Sequence, residues 1–134
     1  MYTHEISVRV RYAETDQMGF VYHGHFATWL EIARVEALRN VGVSYRELEE
    51  EGILMPVLDL QLHFLQPAKY DQVLRVVASV PEMPRVKIRF SYEIFNEEDC
   101  KICEASTTLV FLQRSSMKPV RTPVKVLERL SPFF

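Results

Sequence analysis

No apolar run in the 134-residue sequence is long enough to span a bilayer. Met1-Tyr2-Thr3-His4-Glu5 has neither the basic nor the apolar region of a secretory leader, so the expected location is cytoplasmic, with no membrane span. Neither sign of charge dominates: 16 Lys and Arg stand against 18 Asp and Glu, a net charge of -2. Nucleic acid and acidic membrane surfaces are therefore not expected partners. Repeats, low-complexity tracts and linkers are absent, and the length suits one core, so residues 1–134 are expected to form a single domain. Cysteine is scarce. Cys100 and Cys103 are spaced as Cys-x-x-Cys, but they fall at the start of a strand-like run, where residues three apart point to opposite faces. With no second pair to complete a metal site, they are expected to be two unconnected thiols.

What is present is a patterned α+β sequence. Ile6, Val8 and Val10 alternate with Ser7, Arg9 and Arg11 as a strand. A long helix is expected from about Tyr22 to Val41, with Phe26, Leu30, Ala33, Ala37 and Val41 on its apolar stripe and Trp29 and Leu38 flanking it. Glu31, Arg34, Glu36 and Arg39 fall largely off that stripe and can pair at i, i+3. Gly42 suits the helix C-terminus, Ser44 and Glu47 form a capping box for a short second helix, and Gly52 closes it. Four strand-like segments follow: Met55–Gln66, with Leu58, Leu60, Leu62 and Phe64 on one face; Val73–Val80; Val86–Phe95; and Lys101–Gln113. Thr122 as N-cap and Pro123 at the first helical position announce a short terminal helix carrying Val124, Leu127 and Leu130. The long helix must bury its face, and an antiparallel meander is the surface available to it. The open sheet edges that remain are commonly covered by pairing with a second copy.

The most informative stretch is Tyr12-Ala13-Glu14-Thr15-Asp16-Gln17-Met18-Gly19-Phe20-Val21-Tyr22-His23. A strand ends at a carboxylate and a glycine, an aromatic–imidazole pair follows, and the long helix begins. One carboxylate is thereby placed beside free helix N–H groups and the positive end of the helix dipole, which can hold a developing oxyanion. Acyl transfer requires that combination.

Arg11 to His23, followed by Phe26-Ala27-Thr28-Trp29-Leu30-Glu31-Ile32-Ala33-Arg34, closely resembles the opening of the hotdog-fold acyl-CoA thioesterases, most of all the 4-hydroxybenzoyl-CoA thioesterase branch and its YbgC-type members. The likeness continues through Gln66-Pro67-Ala68-Lys69-Tyr70-Asp71, which resembles the family's turn between two long strands. It implies a five- to six-stranded antiparallel sheet wrapped around a long central helix. It also implies a homodimer with one continuous sheet, often paired into a homotetramer, with active sites between subunits. Carried over by position, Asp16 matches the catalytic carboxylate, the backbone N–H of His23 the oxyanion donor, and the side chains of Tyr12 and His23 match groups lining the site. Phe26 stands where many relatives have Tyr and is assigned no catalytic role.

The resemblance implies hydrolysis of an acyl-CoA, or of an acyl-carrier-protein thioester, without a cofactor or metal. A thiolate leaves without obligatory protonation, so one carboxylate suffices, either attacking the carbonyl or deprotonating water. The bland counterpart for Asp16 is an Asx turn or helix cap. Gly19 is expected to permit a special backbone conformation at the site, and Tyr22 to contact substrate or simply pack. Glu31 is a rival carboxylate on the central helix, with an ion pair to Arg34 as its plainer role. His25 and His63 carry no assigned role. Coenzyme A phosphates call for basic residues: Arg85 and Lys87 first, with Arg89, Lys118 and Arg121 as further candidates. Phe20, Met55, Val57 and Phe64 are candidates for the acyl pocket. Two other readings are a binding or complex-forming hotdog protein without turnover, against which Asp16 argues, and a hotdog dehydratase, whose His–acid pairing the motif does not resemble.

Overall fold

A computed structural model describes all 134 residues. β1 (Tyr2–Arg9) leads through a single 3-10 turn at Tyr12–Glu14 to α1 (Gly24–Asn40) and α2 (Tyr45–Glu50). β2 (Ile53–Leu54), β3 (Val57–Phe64), β4 (Val73–Val80), β5 (Lys87–Phe95), β6 (Lys101–Val110), β7 (Leu112–Gln113) and β8 (Lys118–Pro119) follow. α3 (Val124–Leu130) and a final 3-10 turn end the chain. No helix is long and apolar enough to cross a membrane.

The main sheet is antiparallel and five-stranded in the order β1-β4-β5-β6-β3, with β2, β7 and β8 in a small second sheet. The architecture is the expected α+β wrap around a long helix, but the four strands are not a simple meander. Only β4, β5 and β6 run consecutively side by side. β3 pairs with β6, so the segment after Phe64 must cross from one edge of the sheet back to β4. Gln66–Asp71 is therefore a crossover and not a hairpin turn. It is pinned on both sides: Leu65 N–H donates to Ile102 O (2.9 Å), Val21 N–H to Ala68 O (2.8 Å) and Asp71 N–H to Val10 O (3.0 Å). The long final strand also breaks, at the buried Phe111, so that β7 can leave the main sheet and pair with β2.

α1 lies across β1 and β4. Phe26, Leu30, Ala33 and Ala37 bury against Leu74, Val76, Ile88, Phe90, Ile94 and Leu109 in one core. One flank of the helix is tied to β1: the Tyr2 hydroxyl donates to Ala37 O (2.6 Å) and Asn40 Nδ2 donates to the Tyr2 oxygen (3.1 Å). The other flank, toward β6 and β3, is not covered. Leu58, Leu60 and Phe64 share one face of β3 as expected, yet all three are exposed, Leu58 by 56%. The helix reaches only part of a five-stranded sheet, and β3 is the far edge.

Local expectations fare unevenly. The Arg39–Glu36 pair forms, whereas Glu31 and Arg34 do not pair and Arg34 turns into the interior. Ser44 caps α2, its hydroxyl accepting from Glu47 N–H. Thr122 does not cap α3. Pro123 occupies that position, and the Thr122 hydroxyl instead donates to the Arg85 carbonyl, fastening the C-terminal segment to the start of β5. Cys103 is buried, Cys100 sits in the β5–β6 turn, and both are free thiols.

One buried carboxylate joins the N-terminal loop to the central helix. Glu14 is only 2% exposed. Its Oε1 accepts from Arg11 N–H (2.7 Å), and Oε2 accepts from Trp29 Nε1 (3.1 Å) and Arg11 Nη2 (3.3 Å). Its carbonyl takes the Tyr22 N–H at 2.9 Å. Burial opposes the charge, but donors from the Arg11 backbone, the Arg11 side chain and Trp29 outweigh it and hold the carboxyl below its ordinary value. A depressed folded-state value contributes stability above the unfolded carboxylate value, and that contribution disappears as pH falls through the folded value. Glu14→Gln should cost about 1–3 kcal/mol near neutral pH. It should also flatten the acid limb of the stability curve. Trp29 is the only tryptophan and touches the group in question, so its fluorescence in denaturant titrations from neutral to acidic pH reads both effects. An unchanged neutral-pH stability would remove Glu14 as the fastening point.

Candidate active site

The loop after Glu14 is a tight hairpin. Thr15 bridges Val21, Asp16 N–H donates to Phe20 O (2.8 Å), and Gly19 N–H donates to Asp16 O (3.1 Å). Gly19 has φ +84°, a left-handed conformation that a side chain resists, so its expected backbone role is observed. The Asp16 side chain is oriented by its own loop: Oδ1 accepts from Met18 N–H (2.9 Å) and Phe20 N–H (3.3 Å). The Asx turn thus exists, but it engages only one oxygen. Oδ2 has no hydrogen-bond partner, and Asp16 takes no part in any ion pair.

α1 begins at Gly24, two residues later than the periodicity predicts; just before it, Val21 and Tyr22 donate their N–H groups to Ala68 and Glu14. No side chain caps it, and the N–H groups of His23 and Gly24 have no backbone acceptor. Helix starts normally satisfy such donors with a Ser, Thr, Asp or Asn side chain. Here no protein group supplies that acceptor. Gly24 lies against the Tyr22 ring: a Cβ there would stand 2.8 Å from Tyr22 Cε2, and the ring would have to shift.

Asp16 and His23 line one cleft of about 330 Å³, whose walls are Met18, Phe20, Val21, Phe26, Phe64 and the crossover residues Leu65–Ala68. Phe26 sits edge-on to Phe64 and to Trp29, with ring centroids 5.0 Å apart in both pairs. The site therefore offers a carboxylate with one free oxygen and an uncapped helix start in an otherwise largely apolar cavity. That is the arrangement for addition at a carbonyl whose oxygen becomes negative.

The other candidates lie elsewhere in the chain. Tyr12 is 78% exposed and packs edge-on against Tyr70, outside the cleft. Tyr22 is exposed and leans on the His23 ring (centroids 4.4 Å), also outside it. Arg85 and Lys87 stand at the opposite end of the sheet. Lys87 pairs with Val110 at the end of β6, whereas Phe64 of the cleft pairs with Cys103 near its start. Arg85 and Arg121 line a separate depression beside Thr122. Val57 is at the far end of β3 and Met55 packs against the core, so of the four acyl-pocket candidates only Phe20 and Phe64 line the cleft. No cluster of three or more His, Cys, Asp or Glu could hold a metal ion. Sequence reading missed the crossover wall and the Glu14–Trp29 support. The crossover needed the strand order. Glu14 shows its i, i+3 spacing from Arg11, but a glutamate is by default a surface residue.

Comparison with known proteins identifies the family. A family model described as the thioesterase superfamily matches residues 18–103. The chain is 30% identical over 121 residues to the putative acyl-CoA thioesterase YneP of Bacillus subtilis, covering 90% of this chain and 88% of that one. It is 30% identical over 120 residues to the acyl-CoA thioester hydrolase YbgC of Escherichia coli O157:H7, covering 90% of each. A solved DHNA-CoA thioesterase from Staphylococcus aureus superposes with a TM-score of 0.93 at 34% identity, over 99% of this chain and 91% of that one. Family match, relatives and fold converge: the chain belongs to the thioesterase superfamily and is a thioester hydrolase of hotdog fold.

Proposed function

We propose that this enzyme hydrolyses acyl-CoA thioesters, with Asp16 as the reacting carboxylate and the backbone N–H of His23, at the start of α1, as oxyanion donor. The observation that carries the reading is the pairing, within one apolar cleft, of a carboxylate oxygen without a partner and a helix start without a cap. Asp16 either adds to the thioester carbonyl, releasing CoA thiolate and leaving an anhydride for water to cleave, or removes a proton from the water that adds. Both routes give the free acid and coenzyme A, and both build negative charge on the carbonyl oxygen beside the helix start. Tyr12, turned away against Tyr70, is given no step in the chemistry.

The flat walls supplied by Phe20, Phe26 and Phe64 favour an aromatic acyl group. The Staphylococcus aureus relative, named for DHNA-CoA, is consistent with that preference. One chain has no lysine or arginine in the cleft to meet the phosphates of coenzyme A. A homodimer remedies this. Two copies paired antiparallel through the open edge of β3 would bring the β6-end of one sheet beside the β6-start of the other. The partner's Arg85 and the partner's Lys87 would then lie along the path of the coenzyme. The bare apolar face of Leu58, Leu60 and Phe64 is the surface such pairing covers.

Thiol release from acetyl-, palmitoyl-, benzoyl- and naphthoyl-CoA tests the reading. Asp16→Asn should fold normally and lose about 10²–10⁴-fold in kcat. The aroyl thioesters should show the highest kcat/KM. A folded Asp16→Asn enzyme at near-wild-type rate would remove Asp16 from the mechanism, and a preference for palmitoyl-CoA would remove the aromatic assignment.

A further inference from the structure

Arg34 is only 7% exposed, and no carboxylate accompanies it. Its guanidinium faces the phenols of Tyr45, on α2, and Tyr92, on β5. Nε and the Tyr45 hydroxyl have no hydrogen-bond partner, and the Tyr92 hydroxyl is engaged with Thr107 Oγ1 at 2.7 Å. Burial opposes the guanidinium's charge, and the facing phenol oxygens favour it. Burial pushes the Tyr45 phenol up to about 12, so it remains neutral and supplies no counter-ion. A single chain thus holds a largely buried cation whose Nε has no hydrogen-bond partner and which no anion accompanies; buried charges of this kind are normally paired.

The position of Arg34 shows where that partner comes from. The Tyr92 that Arg34 faces bonds Thr107, which lies opposite Leu60 of β3, so Arg34 sits on the β6 and β3 side of α1, away from the flank that Tyr2 and Asn40 tie to β1. Ala27, Glu31 and Arg34 recur there at i, i+4 and i+7, a single stripe of the helix. Glu31 is exposed, is in no ion pair, and lies close enough to Tyr45 to disfavour its ionisation. The stripe carries one unpaired anion and one unpaired cation a turn apart, so it is complementary to itself. In a two-fold contact residue i meets j while j meets i.

We propose that the two α1 helices of a dimer pack along this stripe, with Glu31 of each chain reaching Arg34 of the other. Glu31 is thereby a specificity element of self-association and not a second catalytic acid. The inference rests on the dimer proposed above and adds a contact that pairing at the β3 edge does not require.

Charge reversal separates the possibilities. Glu31→Lys and Arg34→Glu chains are each tested for folding and for dimer dissociation by sedimentation across a dilution series. Each alone should raise the dissociation constant about tenfold or more. An equimolar mixture should return it toward wild type, because the mixed dimer has opposite charges at both contacts while each chain still carries like charges at 31 and 34. Single variants that dimerise like wild type, or a mixture no tighter than its components, would overturn the contact. If Arg34→Glu does not fold, the milder Glu31→Gln, Arg34→Gln and double variant replace it. The double should then dissociate no more readily than the weaker single, and independent, multiplying effects would overturn the pairing. A wild type that stays monomeric at every concentration would overturn the dimer itself and this contact with it, whereas a wild-type dimer indifferent to these charges would overturn the contact alone.

Discussion

The carboxylate of Glu14 is the interaction on which the site depends. Burying an ionised carboxyl is costly, and it persists here because the Arg11 N–H, the Arg11 guanidinium and the Trp29 indole all donate to it. Trp29 lies on α1 and Arg11 at the end of the N-terminal arm, so the same carboxylate clamps loop to helix. The Glu14 carbonyl adds the Tyr22 N–H. Everything between those two points is short: Asp16 is two residues from Glu14, and His23 is one from Tyr22. With both ends fixed, the Asp16 loop has little choice about where it stands relative to the start of α1.

The crossover after β3 supplies the opposite wall. β3 pairs with β6 instead of β4, so the chain must pass back under the loop, and Val21 holds it there through Ala68. The cleft is therefore a consequence of strand order: a meander would have led directly from β3 to β4 and left Asp16 facing solvent. The same strand order leaves β3 at an edge with apolar residues bare. On the proposed reading the second subunit covers them and brings the basic residues that one chain keeps at its far end.

Much of this is legible in the amino-acid order. The period of Phe26, Leu30, Ala33 and Ala37 marks the buried face of α1, alternation marks β4 and β5, and Asp16, Gly19 and His23 stand out by spacing before a helix. What escapes a reading of one chain is long-range or contrary to residue type. Strand order depends on pairing between residues some forty apart, as for Phe64 with Cys103. Glu14 and Arg34 are charged residues that sequence logic sends to the surface, and both are buried. Tyr12 matches a site-lining side chain by resemblance and Tyr22 stands in the same motif, yet neither ring lines the cleft of one chain, Tyr12 packing on Tyr70 and Tyr22 on His23. Arg85 and Lys87 have the right chemistry for phosphate but sit at the wrong end of their own sheet, a fact that only register reveals.

The central claim is that the uncapped start of α1 polarises a thioester carbonyl held against Asp16. Vibrational difference spectroscopy tests this most directly, using benzoyl-CoA labelled with carbon-13 at the carbonyl and bound to the slow Asp16→Asn variant. Hydrogen bonds from the helix N–H groups should move the carbonyl stretch to lower frequency than in free substrate. A bound carbonyl with the frequency of the free thioester would contradict the account, because nothing at the helix start would then be holding the oxygen.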